Sequence, residues 1–390
     1  MTISKGTKRF ELAPFVIAIC VFCILQPYFM WNASNMIKFG VIPSLYLLAI
    51  IPNMDLKKGN VLYFAVFASL LMFLILLQGY SFAYSISILS LSVVPFIKDN
   101  VFNTSLRYFE IILALFFAGG LIFHIALLFG MPIEGQYIAP LNEEKIMGYS
   151  LYFPFMVRAN SLLDFFRFFG PFDEPGVVGT VSLFVLFIEK YNLKKWYLAV
   201  IFTAAIFSFS FFFIVASFIF LLYRISKKPS TFIISALAIL IFFGITKNIP
   251  VIDELVYSRF EIEEDSGMLA GDNRSSEAQR DYFNSIRGTS DYFLGTHGKT
   301  EGEFVGQRSY IDAIFSYGFI FCFLYFVWMF LYAQHRKMDL RDTIVILLVL
   351  LGNFYQRPNL IHFSYLFLYA AFIVRWSHDS RILQETVKDQ

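Results

Sequence analysis

An all-α polytopic membrane protein, with about twelve transmembrane helices and two large outward-facing segments containing short helices, is the fold class this sequence predicts. Three observations carry the prediction. Of 390 residues, 58% are hydrophobic and only 15% charged, where soluble domains hold roughly 45–50% and about 25%. Fifty Phe and 22 Tyr add apolar area that a water-soluble globule of this length cannot bury. The mean hydropathy is +0.64, and the apolar residues fall in runs long enough to cross about 30 Å of hydrocarbon.

The runs lie at 12–31, 36–52, 61–79, 80–97, 106–130, 175–193, 230–249, 309–333, 341–356 and 358–376. Residues 1–11 are short and basic, and no small-residue cleavage site follows the first run, so it reads as a retained span. The stretch 196–223 has Lys194 and Lys195 before it and Arg224, Lys227 and Lys228 after it. Basic residues mark the cytoplasmic face, so both flanks belong on one side and the crossings between them are even in number. Two short helices turning near Ser208 to Ser210 satisfy this. The sum is twelve spans with both termini cytoplasmic.

The charges support that orientation. The cytoplasmic segments, counted with the helix ends that face them, hold 19 Lys and Arg against 10 Asp and Glu. The two long outside segments, 131–174 and 250–308, hold 3 and 6 basic residues against 6 and 12 acidic ones. No internal repeat or low-complexity linker divides the chain, which reads as a single membrane domain over 1–390. The formal charge of +2 provides no basic field for nucleic acid. Cys20, Cys23 and Cys322 all lie inside apolar runs, so neither a disulfide framework nor a zinc site is expected.

The chemistry belongs in the two outside segments, because the inward loops are too short to build a site and loops this long in a compact protein are functional or disordered. Their Phe and Tyr content argues against disorder. Pro175 suits the first turn of a helix, which puts Glu174 at the start of the sixth span. Glu174 then reads as a helix-capping carboxylate favoured by the macrodipole, or as a general base or arginine orienter; the two roles are compatible. Arg158 and Arg167 either bind an anion or extend to lipid headgroups. In the second segment, Ser276 to Gln279 resembles a capping box and Gly288 suits a helix end. A short helix between them aligns Arg280, Asn284 and Arg287 at i, i+4 and i+7, with Tyr282, Phe283 and Ile286 on the other side. Arg274 stands just before it. The stripe is either a solvated face or an anion site, and its place above lipid on an acidic loop brings the two readings level.

His297 lies in a Gly-flanked stretch, Leu294-Gly-Thr-His297-Gly298, where backbone can approach a ligand closely. Arg308 and Asp312 are spaced i, i+4 at the start of the tenth span, where an ion pair would orient Arg308. Arg357, in the last outside turn, joins the same rim. His124 and His362 read as packed or hydrogen-bonded core residues. There is no phosphate loop and no metal-binding motif, so no metal and no cofactor is expected.

At these residues the chain resembles the bacterial O-antigen polymerase (Wzy) family, within the O-antigen ligase and polymerase superfamily. Arg167-x-x-Gly170-x-Phe172-x-Glu174-Pro175-x-x-x-Gly179 is similar to that superfamily's Arg…Gly…Phe…Glu-Pro segment. Leu294 to Gly298 resembles its LFGxG segment, and Gln307-Arg308-Ser-Tyr310-Ile311…Gly318 matches the spacing of its His-Asn-x-Tyr-Leu…Gly segment. The order of the motifs, the twelve spans and the two large periplasmic segments extend the resemblance over essentially the whole chain. One departure stands out: Gln307 replaces the His of the ligases, and an amide takes up no proton near neutral pH.

The resemblance implies a glycosyltransferase in the bacterial inner membrane that works at the periplasmic face without nucleotide sugar. It would transfer a growing glycan from undecaprenyl diphosphate onto a single lipid-linked repeat unit, with inversion at the anomeric carbon. Its partners would be the lipid-linked oligosaccharide and membrane lipid, with a chain-length regulator protein and a flippase as further candidates, and no nucleic acid. Arg158, Arg167, Arg274, Arg280, Arg287, Arg308 and Arg357 would bind the diphosphate, Asp312 and Gln307 would orient, and the base would be Glu174 first and His297 second. Ligation of finished glycan to lipid A-core and flipping of a lipid-linked oligosaccharide are the competing readings. A carrier would place charge at mid-membrane, whereas these charges gather in the outer loops.

Overall fold

The computed structural model describes residues 11–139, 148–160, 166–225, 277–297, 309–357 and 359–388. The expected span at 230–249, and Arg274, Gln307 and Arg308, lie outside the described residues.

The chain is mostly helical. In order come α1 (Leu12–Ile24), α2 (Ile42–Ile50), α3 (Lys58–Gln78), α4 (Phe82–Ser90), α5 (Asp99–Leu128), α6 (Pro175–Ile188), α7 (Trp196–Phe207), α8 (Phe211–Ile225), α9 (Glu277–Ile286), α10 (Ser290–Leu294), α11 (Tyr310–Tyr317), α12 (Phe319–His335), α13 (Leu340–Gln356) and α14 (Phe363–Lys388). Helices apolar on every side belong in the middle of a bundle, and two are placed there. From Pro175 to Ile188, α6 is buried at every position except Gly176, and α14 is buried from Phe363 to Val374. One apolar cluster runs from Ile17 on α1 through these helices to Trp376.

The helices at the rim carry apolar side chains outward: Leu48 is 73% exposed, Ile122 71% and Leu76 75%. Patches of that kind on a monomer mark contact with lipid or partner. Gly59–Gln78 and Asp99–Leu128 are long and apolar enough to cross a membrane. Tyr310–Tyr317 with Phe319–His335 makes a third crossing if the 104° bend between them lies within one span. Among the described residues, two helices are long and apolar enough to cross a membrane, or three if the bent pair is one span, and the count of twelve is not established by them. Several other expected spans are shorter apolar helices among the described residues, such as Leu12–Ile24, Pro175–Ile188 and Trp196–Phe207. The reason is breakage: α2 and α4 run on into tighter 3-10 turns at Ile51–Asn53 and Leu91–Phe96, and α7 ends at Ser208 to restart as α8 at Phe211, the turn that the flanking charges predict.

The first long segment departs from expectation. In place of short helices it forms a three-stranded antiparallel sheet, β1 (Gln136–Ile138), β2 (Tyr149–Tyr152) and β3 (Met156–Ala159), in the order β1-β2-β3. Ser150 pairs with Tyr137 on one side and Arg158 on the other. Alternate residues turn to opposite faces of a strand, and Tyr149, Leu151 and Val157 bury against Trp31 and Phe169. Apolar residues set two apart in a run this short favour a strand over a helix.

Charge pairs close one end of the bundle. Glu189 at the end of α6 bonds Lys195 and lies 3.7 Å from Arg375, while Arg336 pairs with Asp99 at 2.6 Å. The opposite end carries the start of α6, the end of α13 and the sheet.

Candidate functional site

At that opposite end, Pro175 opens α6 and Glu174 precedes it in extended backbone (φ −142°, ψ 138°). The Glu174 side chain takes no capping hydrogen bond, so the simple cap is not what forms. It accepts instead from the guanidinium of Arg357, which follows α13. The Arg357 side chain is 9% exposed and that of Glu174 37%, a buried cation paired at its edge with a half-open carboxylate. Burial works against the Arg357 charge, but Glu174, the Tyr365 hydroxyl and Asp173 outweigh it and raise the guanidinium pKa above its ordinary value. Gly176 makes the pairing fit, since a Cβ there would come within 2.7 Å of Arg357 Nη2.

The segment leading into Glu174 is braced by the α7–α8 turn. Phe168 N–H donates to the Phe207 carbonyl at 2.8 Å, and Arg167 Nε donates to the Ser208 carbonyl at 3.4 Å. Gly179 packs so closely on this turn that an added Cβ would overlap Ser210. The sheet is tied in through Val157 N–H to the Gly170 carbonyl at 2.8 Å. Arg158, on β3, is partly buried, and that burial lowers its pKa against the opposing effect of Tyr152.

His297 is exposed, with φ 51°, and its Nδ1 lies 2.7 Å from the Leu77 carbonyl at the end of α3. A carbonyl only accepts, so Nδ1 carries the proton and Nε2 is left as the acceptor nitrogen. Neighbouring bonds hold the loop: Gln78 Nε2 donates to the Leu294 carbonyl at 2.8 Å, and Thr296 N–H to the Phe315 carbonyl at 2.8 Å. Gly318, at φ 78°, lies against this loop, where a Cβ would come within 2.5 Å of Leu294 C. Two pieces of the sequence resemblance therefore touch.

In the second segment the expected helix forms over Glu277–Ile286 with Gly288 beyond it at φ 80°. Phe283 and Ile286 are buried, Arg280 is partly exposed, and Asn284 and Arg287 are exposed. Gln279, fully buried, donates from Nε2 to Asp312 Oδ1 at 2.9 Å. Asp312 thus joins α9 to α11. The expected orientation of Arg308 by Asp312 lies outside the described residues. Sequence reading missed Gln279, although it stands at i, i+4, i+7 with Phe283 and Ile286 and is a polar residue on an apolar stripe.

These pieces meet around α11. Its first residue, Tyr310, stacks on Tyr355 near the end of α13 at 5.5 Å and 13° and meets Phe283 of α9 edge-on at 6.0 Å. Asp312 receives Gln279, and the Phe315 carbonyl receives Thr296. One eight-residue helix so joins the α13 end next to Arg357, the helix that bears Arg280 with Arg287 just past its end, and the loop that bears His297. Arg158 stands on β3 and Arg167 beside the α7–α8 turn. Of the two expected core histidines, His124 is buried between Phe168 and Phe207, while His362 is partly exposed at the wall of a cavity. No family model matches this chain, and no curated protein or solved structure matches it at a significant level.

Proposed function

We propose that this protein is a glycan polymerase of the bacterial inner membrane. It joins a glycan carried on a polyprenyl diphosphate to a single lipid-linked repeat unit at the periplasmic face, from a twelve-span domain with both termini cytoplasmic. The observation that carries this reading is the gathering of the Glu174–Arg357 pair, the arginine helix and the His297 loop around α11 at one end of an apolar bundle. A site at the end of a bundle suits a substrate whose lipid stays in the membrane while its sugars reach into water.

In the reaction, the acceptor hydroxyl oxygen bonds to the anomeric carbon of the donor as the bond from that carbon to the diphosphate oxygen breaks. His297 Nε2 takes the hydroxyl proton and later gives it to water. Arg280 and Arg287, with Arg158 and Arg167, bear on the charge that grows on the departing diphosphate, the task for which guanidinium forks are suited. The sequence ranks Glu174 first as base, but its carboxylate is taken by Arg357. We assign the pair to positioning the start of α6, and His297 to proton transfer. Arginine supplies the positive charge here, so the reaction runs without a divalent ion.

Purified protein in vesicles with lipid-linked repeat units, with and without lipid A-core and with no other enzyme, tests the function. A ladder of glycan lengths is expected. Transfer only to lipid A-core would identify a ligase, and transbilayer movement without new bonds a flippase; either overturns the proposal.

A further inference from the structure

A cavity of about 130 Å³, the one that His362 lines, opens between the first turn after α1, the segment leading into α2, α4 and the start of α14. It lies at the same end of the bundle as Glu174, because the adjoining Tyr28 N–H donates to the Pro171 carbonyl at 2.8 Å. Its wall holds Lys38 and Phe39, with Tyr84, Ser87 and His362 facing the same space.

Lys38 sits in an irregular turn. Over Ile37–Val41 the helix widens, and Ile42 N–H reaches back five residues to the Ile37 carbonyl. Such π-turns are rare and frequent at functional sites. The ammonium donates to the Trp31 carbonyl at 3.1 Å, and it has three donors to place. No carboxylate among the described residues pairs with it. With one donor on the Trp31 carbonyl, the ammonium has two more to offer an anion that enters the cavity. Along the outside of the same stretch, Met36 is 77% exposed and Ile37, Val41 and Leu45 are 41–45% exposed. The cavity, about 130 Å³, has room for a phosphate group beside Lys38.

We infer that this cavity binds the phosphate of an anionic amphiphile, with the phosphate on Lys38 and the hydrocarbon chain leaving along Met36, Ile37 and Val41. The exposed apolar edge is what selects a lipid over free phosphate. This site stands apart from the α11 cluster, and its test does not depend on the polymerase reading.

Native mass spectrometry and calorimetry on the full chain in detergent decide it, with dihexanoyl phosphatidic acid as the probe. Dihexanoyl phosphatidylcholine and inorganic phosphate serve as comparisons. One molecule of phosphatidic acid should bind, at least ten-fold more tightly than either comparison. Lys38→Gln should weaken it at least ten-fold, Lys38→Arg less than three-fold, and Ser87→Phe should fill the space and abolish it. Unchanged binding in folded Lys38→Gln, or equal binding of phosphatidylcholine, would remove the charge-based site. Equal binding of inorganic phosphate would remove the lipid.

Discussion

Arg357 reaches Glu174 across 183 positions of sequence, and the consequences of that pairing can be measured residue by residue. Truncating Glu174 to Gln leaves a buried guanidinium short of its carboxylate, a change that costs about 1–3 kcal/mol when a buried group loses its partner. Because Glu174 is more than a third exposed, water shares the pairing and the lower part of that range applies. The melting temperature in detergent should fall by a few degrees for Glu174→Gln, and further for Arg357→Met. The double variant should lose less than the two singles summed, since their interaction is counted once. Additive losses would dissolve the pair. His297→Ala should keep its fold and lose at least about 100-fold in transfer rate, the scale of a general base. A normal rate in His297→Ala would return the base to Glu174. Sequence pointed to both residues but not to their division of labour. Nothing local marks Arg357 as the partner of Glu174, and the Leu77 carbonyl that sets the His297 tautomer is backbone, invisible in side-chain patterns.

At the scale of elements, α11 and the α7–α8 turn organise the site, and both depend on glycine. Gly318 divides α11 from α12 in a left-handed conformation that favours glycine with backbone packed against it. Gly318→Ala should therefore prevent assembly of the His297 loop, seen as loss of folded protein in the membrane. Gly179→Ala should also destabilise, and Ser210→Gly in the same chain should restore much of the loss because it removes the atoms a new Cβ would meet. Failure of that rescue would place the contact elsewhere. The arginine helix over Glu277–Ile286 was legible in advance from its periodicity and the glycine beyond it, and the break after Phe207 from its basic flanks. The bend at Gly318 was not, because its cause is the Leu294 loop, distant in sequence. The small sheet escaped notice because its strands span only three or four residues, too few for a period of two to stand out.

For the molecule as a whole, the placement of charge makes orientation testable. Lys195, Arg336 and Arg375 are tied into ion pairs at one end, and Glu174 and Arg357 lie at the other. Under the positive-inside rule an impermeant thiol reagent should label a cysteine at position 284 in intact cells and not one at 194; the reverse pattern would invert the molecule and move the site to the cytoplasm. Composition made the apolar bundle legible, while helix length alone does not yield the number of crossings, because tight turns and the bend at Gly318 shorten the helices. The central claim is that glycan is transferred with a lipid diphosphate as the leaving group. Its most direct measurement counts free polyprenyl diphosphate against new glycosidic bonds as purified protein acts on lipid-linked repeat units in vesicles. One diphosphate released per bond formed, with both lost in His297→Ala, is the predicted result. Bonds formed without diphosphate release, or no bonds at all with folded protein present, would contradict it.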